Sequence, residues 1–118
     1  MKMEFLEIIK KNYEENEHLH LLVKFNSFVM GIVINNELFI LTYKDKQCFI
    51  TTNCTDKQIP TVHLNSETID GICHGIILTK LIEEQKVIFH GSLRDKLLIE
   101  SLLYLSINNF LDKKEVVA

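Results

Sequence analysis

The apolar residues change their spacing along the chain, and this change restricts the folds that the chain can adopt. Residues 3 to about 18 carry apolar side chains at i, i+3, i+4 and i+8 among charged ones, which predicts an amphipathic helix. From Leu19 to Asn53 the segments "HLLVKF", "FVMGIVI", "ELFILTYK" and "CFITT" are β-branched and aromatic, as is typical of strands. The turn signals "NN" and "KDKQ" separate some of them. The first half therefore predicts a helix and then an antiparallel meander of three or four strands.

The second half mixes short strands with helices. "TVHLN" alternates as a half-buried strand, and Asn65 or Ser66 can cap the helix that follows it. Gly75 suits the end of that helix, after which "IILTKLIEE" predicts a second short helix. "KVIFH" is a last strand, and Gly91 then leads to a final helix with Ser92 as its N-cap. The whole order predicts an α+β fold.

Length, charge and composition exclude several classes of protein. The 118 residues predict a single domain over 1–118, with 112–118 as a frayed, charged tail. Net charge is −3 and the only arginine is Arg94, so we expect no nucleic-acid partner, because such proteins cluster basic residues. Glu4 and Glu7 interrupt the apolar N-terminus, and no apolar run approaches the ~20 residues that span a bilayer. We therefore expect no stable membrane insertion and a cytoplasmic location with reduced cysteines.

Apolar residues occupy a wider arc of the last helices than packing against one sheet face requires. In the final helix they are Leu97, Leu98, Ile99, Leu102, Leu103, Leu105, Ile107 and Phe110. In the 69–82 stretch they are Ile69, Ile72, Ile76, Ile77, Leu78, Leu81 and Ile82. Two interpretations stay open from the residues alone. The helices either close an ordinary core or a protein interface, or they form walls of a cavity for an apolar ligand.

Residues from about 60 to 105 resemble the C-terminal half of the sterol carrier protein 2 (SCP2) family. "TVHLNSETIDGICHG" is similar to the alternating strand and capped helix of that family, "IILTKLIEE" to its second short helix, and "KVIFHGSLRDKLLIESLL" to its final strand, glycine and long helix. The N-terminal helix and the meander fit the same plan in order and length. The chain departs from the family at Glu84 and Gln85, where a glycine usually precedes the last strand.

The resemblance implies a twisted, mostly antiparallel sheet of about five strands, with helices packed on one face around an apolar cavity. It implies a non-enzymatic carrier for a sterol, fatty acyl or isoprenoid ligand, with no catalytic residue, cofactor or metal. The residues expected to line the cavity are Ile69, Ile72, Cys73, Ile76, Ile77, Leu98, Leu102 and Leu105. The alternative is a small α/β interaction module that buries the same apolar surface in a homodimer or against another protein.

The cysteines and histidines do not predict a metal site. Cys48 and Cys54 are six residues apart and His63 and His90 are isolated, whereas zinc ligands occur as closely spaced pairs. His18 and His20 are expected to alternate on a strand edge, where they would bind a metal only adventitiously.

The adjacent residues Cys73 and His74 suggest a thiol-dependent activity as a third, weaker hypothesis. Neighbours on a helix point about 100° apart, and the negative end of the helix dipole disfavours a thiolate. We therefore expect Cys73 to act as a small buried hydrophobic residue.

Overall fold

The computed structural model of the protein describes residues 2–23, 27–52 and 59–117, and side chains within residues 4–107 of these ranges. The helices are α1 (Lys2–Glu15), α2 (Glu17–His20), α3 (Ser66–Cys73), α4 (Leu78–Glu83) and α5 (Leu93–Val117). The strands are β1 (Phe28–Ile34), β2 (Glu37–Lys44), β3 (Gln47–Thr51), β4 (Thr61–Leu64) and β5 (Ile88–His90). One turn of 3-10 helix, Leu21–Val23, follows α2.

The strands form one sheet in the order β3-β2-β1-β4-β5. The pairs β1–β2, β2–β3 and β4–β5 are antiparallel, while β1 and β4 are parallel. The predicted α+β fold with a mostly antiparallel sheet is therefore confirmed. The parallel pair requires the chain to return to the middle of the sheet after β3, a crossover that a simple meander does not contain.

Two tight turns fix the register of the first three strands. Asn35 and Asn36 have φ of 51° and 69°, and Asp45 and Lys46 have φ of 52° and 68°. Positive φ at both central residues is the mark of a type I′ turn, whose twist matches that of the flanking strands. The turns predicted at these two places are confirmed.

The predicted first helix and first strand differ from the structure. The helix expected to reach residue 18 ends at Glu15, because the Asn16 side chain accepts a hydrogen bond from the backbone N–H of His18 at 2.9 Å and begins α2. "HLLVKF" was expected as a strand, but residues 20–23 are helical, and residues 24 and 25 lie outside the described residues. His18 and His20 therefore lie on a helix and not on a strand edge. Fully buried Leu19 anchors this helical turn in the core.

A cap begins the first of the two short helices after β4, as the sequence predicts. The Asn65 side chain accepts a hydrogen bond from the Thr68 N–H, and the Thr68 hydroxyl accepts one from the Asn65 N–H. This reciprocal capping box begins α3. Gly75 (φ 93°) separates α3 from α4. Gln85, near the place of the family's glycine, has φ 61°, so it adopts the left-handed conformation that glycine favours.

A glycine corner joins β5 to α5. Gly91 has φ 150°, and a Cβ there would lie 2.8 Å from the Phe89 ring, so this position requires glycine. The Ser92 hydroxyl accepts a hydrogen bond from the Asp95 N–H at 3.1 Å, which confirms Ser92 as the N-cap. α5 continues to Val117, so residues 112–117, expected as a frayed tail, have helical backbone here, and Ala118 lies outside the described residues.

The helices cover one face of the sheet, and side chains fill the space between these two layers. The buried residues of this sheet face are Met30, Ile32, Ile34, Phe39, Leu41, Tyr43, Cys48, Val62 and Leu64. α1 packs against β3 and α5, while α3 and α4 pack against α5. Each buried aliphatic side chain stabilises the fold by about 1.5–3 kcal/mol. This interior positions α1 and α3 beside each other on the common support of α5.

Candidate functional site

The eight residues expected to line a cavity lie in three different environments. Ile69, Ile72 and Leu102 are buried in the core. Cys73 and Leu98 are half-buried and pack against it. Ile76, Ile77 and Leu105 are exposed, each by about 40% (37%, 41% and 37%). The structure thus brings part of this set to one place and leaves three of its members at the surface.

A pocket of about 140 Å³ lies between α1 and α3. Its residues are Glu4, Phe5, Ile8, Ile69, Asp70 and Cys73. Two of the predicted residues, Ile69 and Cys73, form the α3 wall, and the α1 wall was not predicted. The helical spacing of Phe5 and Ile8 shows that they share a face of α1 but not which helix they meet.

The pocket wall is apolar in its depth and charged at its edges. Phe5 and Ile69 are almost fully buried, and Ile8 and Cys73 are half-buried beside them. Glu4 and Asp70 are exposed and carry the pocket's carboxylates. An apolar wall with a few polar groups at its margin is typical of small-molecule sites.

Cys73 is a protonated thiol at neutral pH. Burial raises its pKa above the ordinary value, and the nearby Asp70 carboxylate raises it further. The His74 ring does not activate it, because His74 Nδ1 lies 2.7 Å from the Asp70 backbone oxygen and 3.6 Å from Asp70 Oδ1. The side chain therefore serves the pocket as an apolar surface.

Buried aromatic rings form a second feature, below the C-terminal end of α1. The Tyr13 ring contacts Tyr43 at 4.6 Å and His20 at 5.0 Å between centroids, both edge-on. The Tyr43 hydroxyl and both ring nitrogens of His20 are buried, and none has a hydrogen-bond partner among the described residues. The Ser106 hydroxyl on α5 is also buried and unpartnered within the described ranges. Such atoms are rare in folded proteins, because leaving them unsatisfied costs free energy.

A polar clamp joins α1 to the edge strand β3. Lys10 Nζ donates to Glu14 Oε2 at 2.9 Å and to the Cys48 backbone oxygen at 2.7 Å. The Cys48 N–H in turn donates to Glu14 Oε2 at 3.0 Å. The hydrogen bond from Lys10 lowers the pKa of Glu14, and the bond from Cys48 lowers it further. Burial raises the pKa of the Cys48 thiol to about 12, so this thiol is neither a nucleophile nor a ready metal ligand at neutral pH.

His63 and His90 lie together at the other end of the sheet. His63 and His90 contact each other edge-on, with centroids 5.5 Å apart, and His90 borders a second pocket of about 420 Å³ beside Pro60 and Asp95. Within the described ranges, no group of three or more His, Cys, Asp or Glu side chains is placed to hold a metal ion. Cys54, the other cysteine considered as a ligand, lies outside the described residues.

In the parts of the chain that the structure describes, no helix combines the length and apolar character needed to cross a membrane.

Comparison with known proteins gives a fold. No family model and no curated protein matches the sequence. The solution structure of the sterol carrier protein domain 2 of Helicoverpa armigera is similar with a TM-score of 0.69 and 15% identity, over 89% of this chain and 87% of that chain. The UbiJ-SCP2 ubiquinone synthesis protein is similar with a TM-score of 0.66 and 14% identity, over 81% and 82%. This chain therefore has an SCP2-like fold.

A third similar structure is a much larger protein. The stereoselective inverting sec-alkylsulfatase Pisa1 from Pseudomonas sp. matches with a TM-score of 0.55 and 18% identity. The match covers 67% of this chain but only 13% of that one. The likeness concerns a small part of the enzyme and shows the fold alone.

Proposed function

We propose that this protein binds a hydrophobic small molecule of the lipid type, without catalysing a reaction, and that the pocket between α1 and α3 is the entrance to its binding site. The observation that carries the proposal is the apolar pocket lined by Phe5, Ile8, Ile69 and Cys73. The fold supports it, since two of the three similar structures are a sterol carrier protein domain and a ubiquinone synthesis protein. A cytoplasmic location stays a prediction from the sequence.

The driving force is the transfer of apolar groups from water to the pocket. Each buried methylene contributes about 0.8 kcal/mol, from which the cost of association is subtracted. The pocket of about 140 Å³ is similar in size to an apolar cavity that accepts a benzene-sized ligand. Ligands of ordinary size need roughly 300–1,000 Å³. A complete lipid therefore requires α1 and α3 to move apart, and α5, which contacts both helices, is the support on which they move.

A matched pair of substitutions tests the location of this site. Ile8→Glu places a carboxylate in the half-buried wall of the pocket, whereas Ile77→Glu makes the same change at a residue that is 41% exposed and outside it. Binding is measured by titration of a solvatochromic dye and its displacement by 1-octanol. We expect Ile8→Glu to weaken binding at least tenfold and Ile77→Glu to leave it unchanged. Thermal melts of both variants check that they are folded.

Two results would contradict the proposal. Equal binding by Ile8→Glu and the wild type would exclude the pocket between α1 and α3 as the entrance. Absence of any binding by the folded wild-type protein would exclude the function itself.

A second candidate function is a protein interface, and the surface of α5 favours it. Leu93, Leu97 and Tyr104 recur on one side of the helix and are exposed by 67%, 51% and 40%. A stripe of this kind can be buried in a homodimer or against another protein. Light scattering at micromolar concentration tests it with Leu97→Lys. A dimer that dissociates in this variant would support the interface, and a wild-type monomer would exclude the homodimer.

A further inference from the structure

The Tyr43 hydroxyl is the most deeply buried of the polar groups that lack a partner. Tyr43 is 0% exposed, and its hydroxyl has no hydrogen-bond partner among the described residues. Burial raises the pKa of this phenol, and the neighbouring Cys48 thiol on the paired strand β3 raises it further. A thiol is at most a weak hydrogen-bond partner, and no described group meets hydrogen-bonding geometry with the hydroxyl. A phenol in this position is both an available donor and an available acceptor.

The His20 imidazole shares this surrounding with Tyr43. The Tyr43 ring on β2 and the His20 ring on α2 both pack on the ring of Tyr13. The two ring nitrogens of His20 are buried and have no partner within the described part of the chain. Each such group costs free energy when it stays unsatisfied, so two of them around one ring need an explanation.

The charges nearby restrict what can satisfy these atoms. The ammonium group of Lys10 is the nearby cation on α1, and it already binds Glu14 and the Cys48 carbonyl oxygen. A carboxylate or phosphate placed against Tyr43 would therefore be desolvated without that ammonium group as its counter-charge, which is costly. A neutral oxygen, as in a hydroxyl or a carbonyl group, needs only the hydrogen bonds that the phenol and the imidazole offer.

We propose that the Tyr43 hydroxyl and the His20 imidazole bind the neutral oxygen of a hydrophobic ligand, an alcohol or a ketone, whose apolar part lies along α1. This inference rests on the proposed function and names its ligand class. α1 connects the two places, because Phe5 and Ile8 line the pocket and Tyr13 contacts both polar side chains. The helix rises about 12 Å from Phe5 to Tyr13, so a ligand with an apolar part of roughly that length reaches from the pocket to the polar group.

The test uses three octyl compounds and a matched pair of variants. 1-Octanol, octanoate and octane are compared by displacement of the solvatochromic dye at neutral pH. Tyr43→Phe removes the buried hydroxyl and keeps the ring, while Tyr104→Phe removes a hydroxyl from the exposed tyrosine of α5. Because a buried unpaired hydroxyl is lost, we expect Tyr43→Phe to be at least as stable as the wild type.

The wild type is expected to bind 1-octanol more tightly than octanoate or octane. Tyr43→Phe should weaken 1-octanol about 3- to 10-fold, the range for one neutral hydrogen bond, and leave octane unchanged. Tyr104→Phe should change neither. Binding of 1-octanol should also move the imidazole ¹⁵N resonances of His20.

The contrary results separate this inference from the proposed function. If 1-octanol and octane bind equally and Tyr43→Phe changes neither, the buried atoms are satisfied by water and only this inference is refuted. Octanoate binding as tightly as 1-octanol would also refute the preference for a neutral oxygen. If none of the three compounds binds to the folded wild type, the proposed function is refuted and this inference with it.

Discussion

Truncation of Leu102 measures how tightly the helices close over the sheet. Leu102 is 0% exposed on the inner side of α5, and Leu105, three residues further along, is 37% exposed. Leu102→Ala removes three carbon atoms, a transfer loss of about 2.4 kcal/mol at ~0.8 kcal/mol each, and a cavity term is added. We expect a total loss of about 3–4 kcal/mol in the free energy of unfolding, a large part of the 5–15 kcal/mol of a typical domain. Leu105→Ala should cost about 1 kcal/mol or less.

Urea unfolding followed by circular dichroism distinguishes the two variants. With a slope of about 1.5 kcal/mol per molar urea, the midpoint of Leu102→Ala should fall by roughly 2 M, and that of Leu105→Ala should fall by well under 1 M. A loss below about 1 kcal/mol for Leu102→Ala would refute this reasoning. It would show that Leu102 borders space already open to solvent or ligand, and that α5 forms a cavity wall at this position.

Four further predictions concern ionisation, thiol reactivity and backbone strain. The hydrogen bond from Lys10 lowers the pKa of Glu14 in the folded chain, so the stability that this bond provides should be lost as the pH falls below about 4.5. In a profile of melting temperature against pH, Glu14→Gln should therefore show a smaller decrease at acid pH than the wild type. Burial raises the pKa of Cys48 to about 12, whereas the thiol of the unfolded chain ionises near 9, so the free energy of unfolding should decrease as the pH rises from about 9 to 12. In a Cys54→Ser background at pH 8, a thiol reagent should modify Cys73 before Cys48, and equal rates would contradict the burial described. Gln85→Gly relieves a φ of 61°, so it should stabilise the chain by up to about 1 kcal/mol in a denaturant titration, and a loss of stability would show that the turn is not strained.

The sequence predicts most of the fold because local signals and global packing agree over most of the chain. The type I′ turns, the capping box at Asn65 and the N-cap at Ser92 each follow from short patterns of residues. The first strand was predicted wrongly because the cap at Asn16 starts a helical turn where β-branched and aromatic residues favour a strand. The parallel pairing of β1 with β4 depends on a crossover that no local pattern indicates.

The site is harder to predict because it depends on which helices meet. Periodicity places Ile69 and Cys73 on one face of α3, but the opposite wall comes from α1, more than sixty residues earlier. The breadth of an apolar arc also fails to distinguish a core from a surface. Ile77 and Leu105 extend such arcs, yet both are exposed.

The central claim, that an apolar ligand enters between α1 and α3, is tested most directly by a titration observed at the isoleucine δ1-methyl groups by NMR. Ile8 and Ile69 lie in the pocket, while Ile77 and Ile88 are exposed elsewhere and serve as internal controls. On addition of 1-octanol, we predict saturable shifts and intermolecular NOEs at the methyl groups of Ile8 and Ile69, with Ile77 and Ile88 unchanged. Saturable shifts confined to Ile77 or Ile88, or no saturable shift at any of the four, would contradict the account.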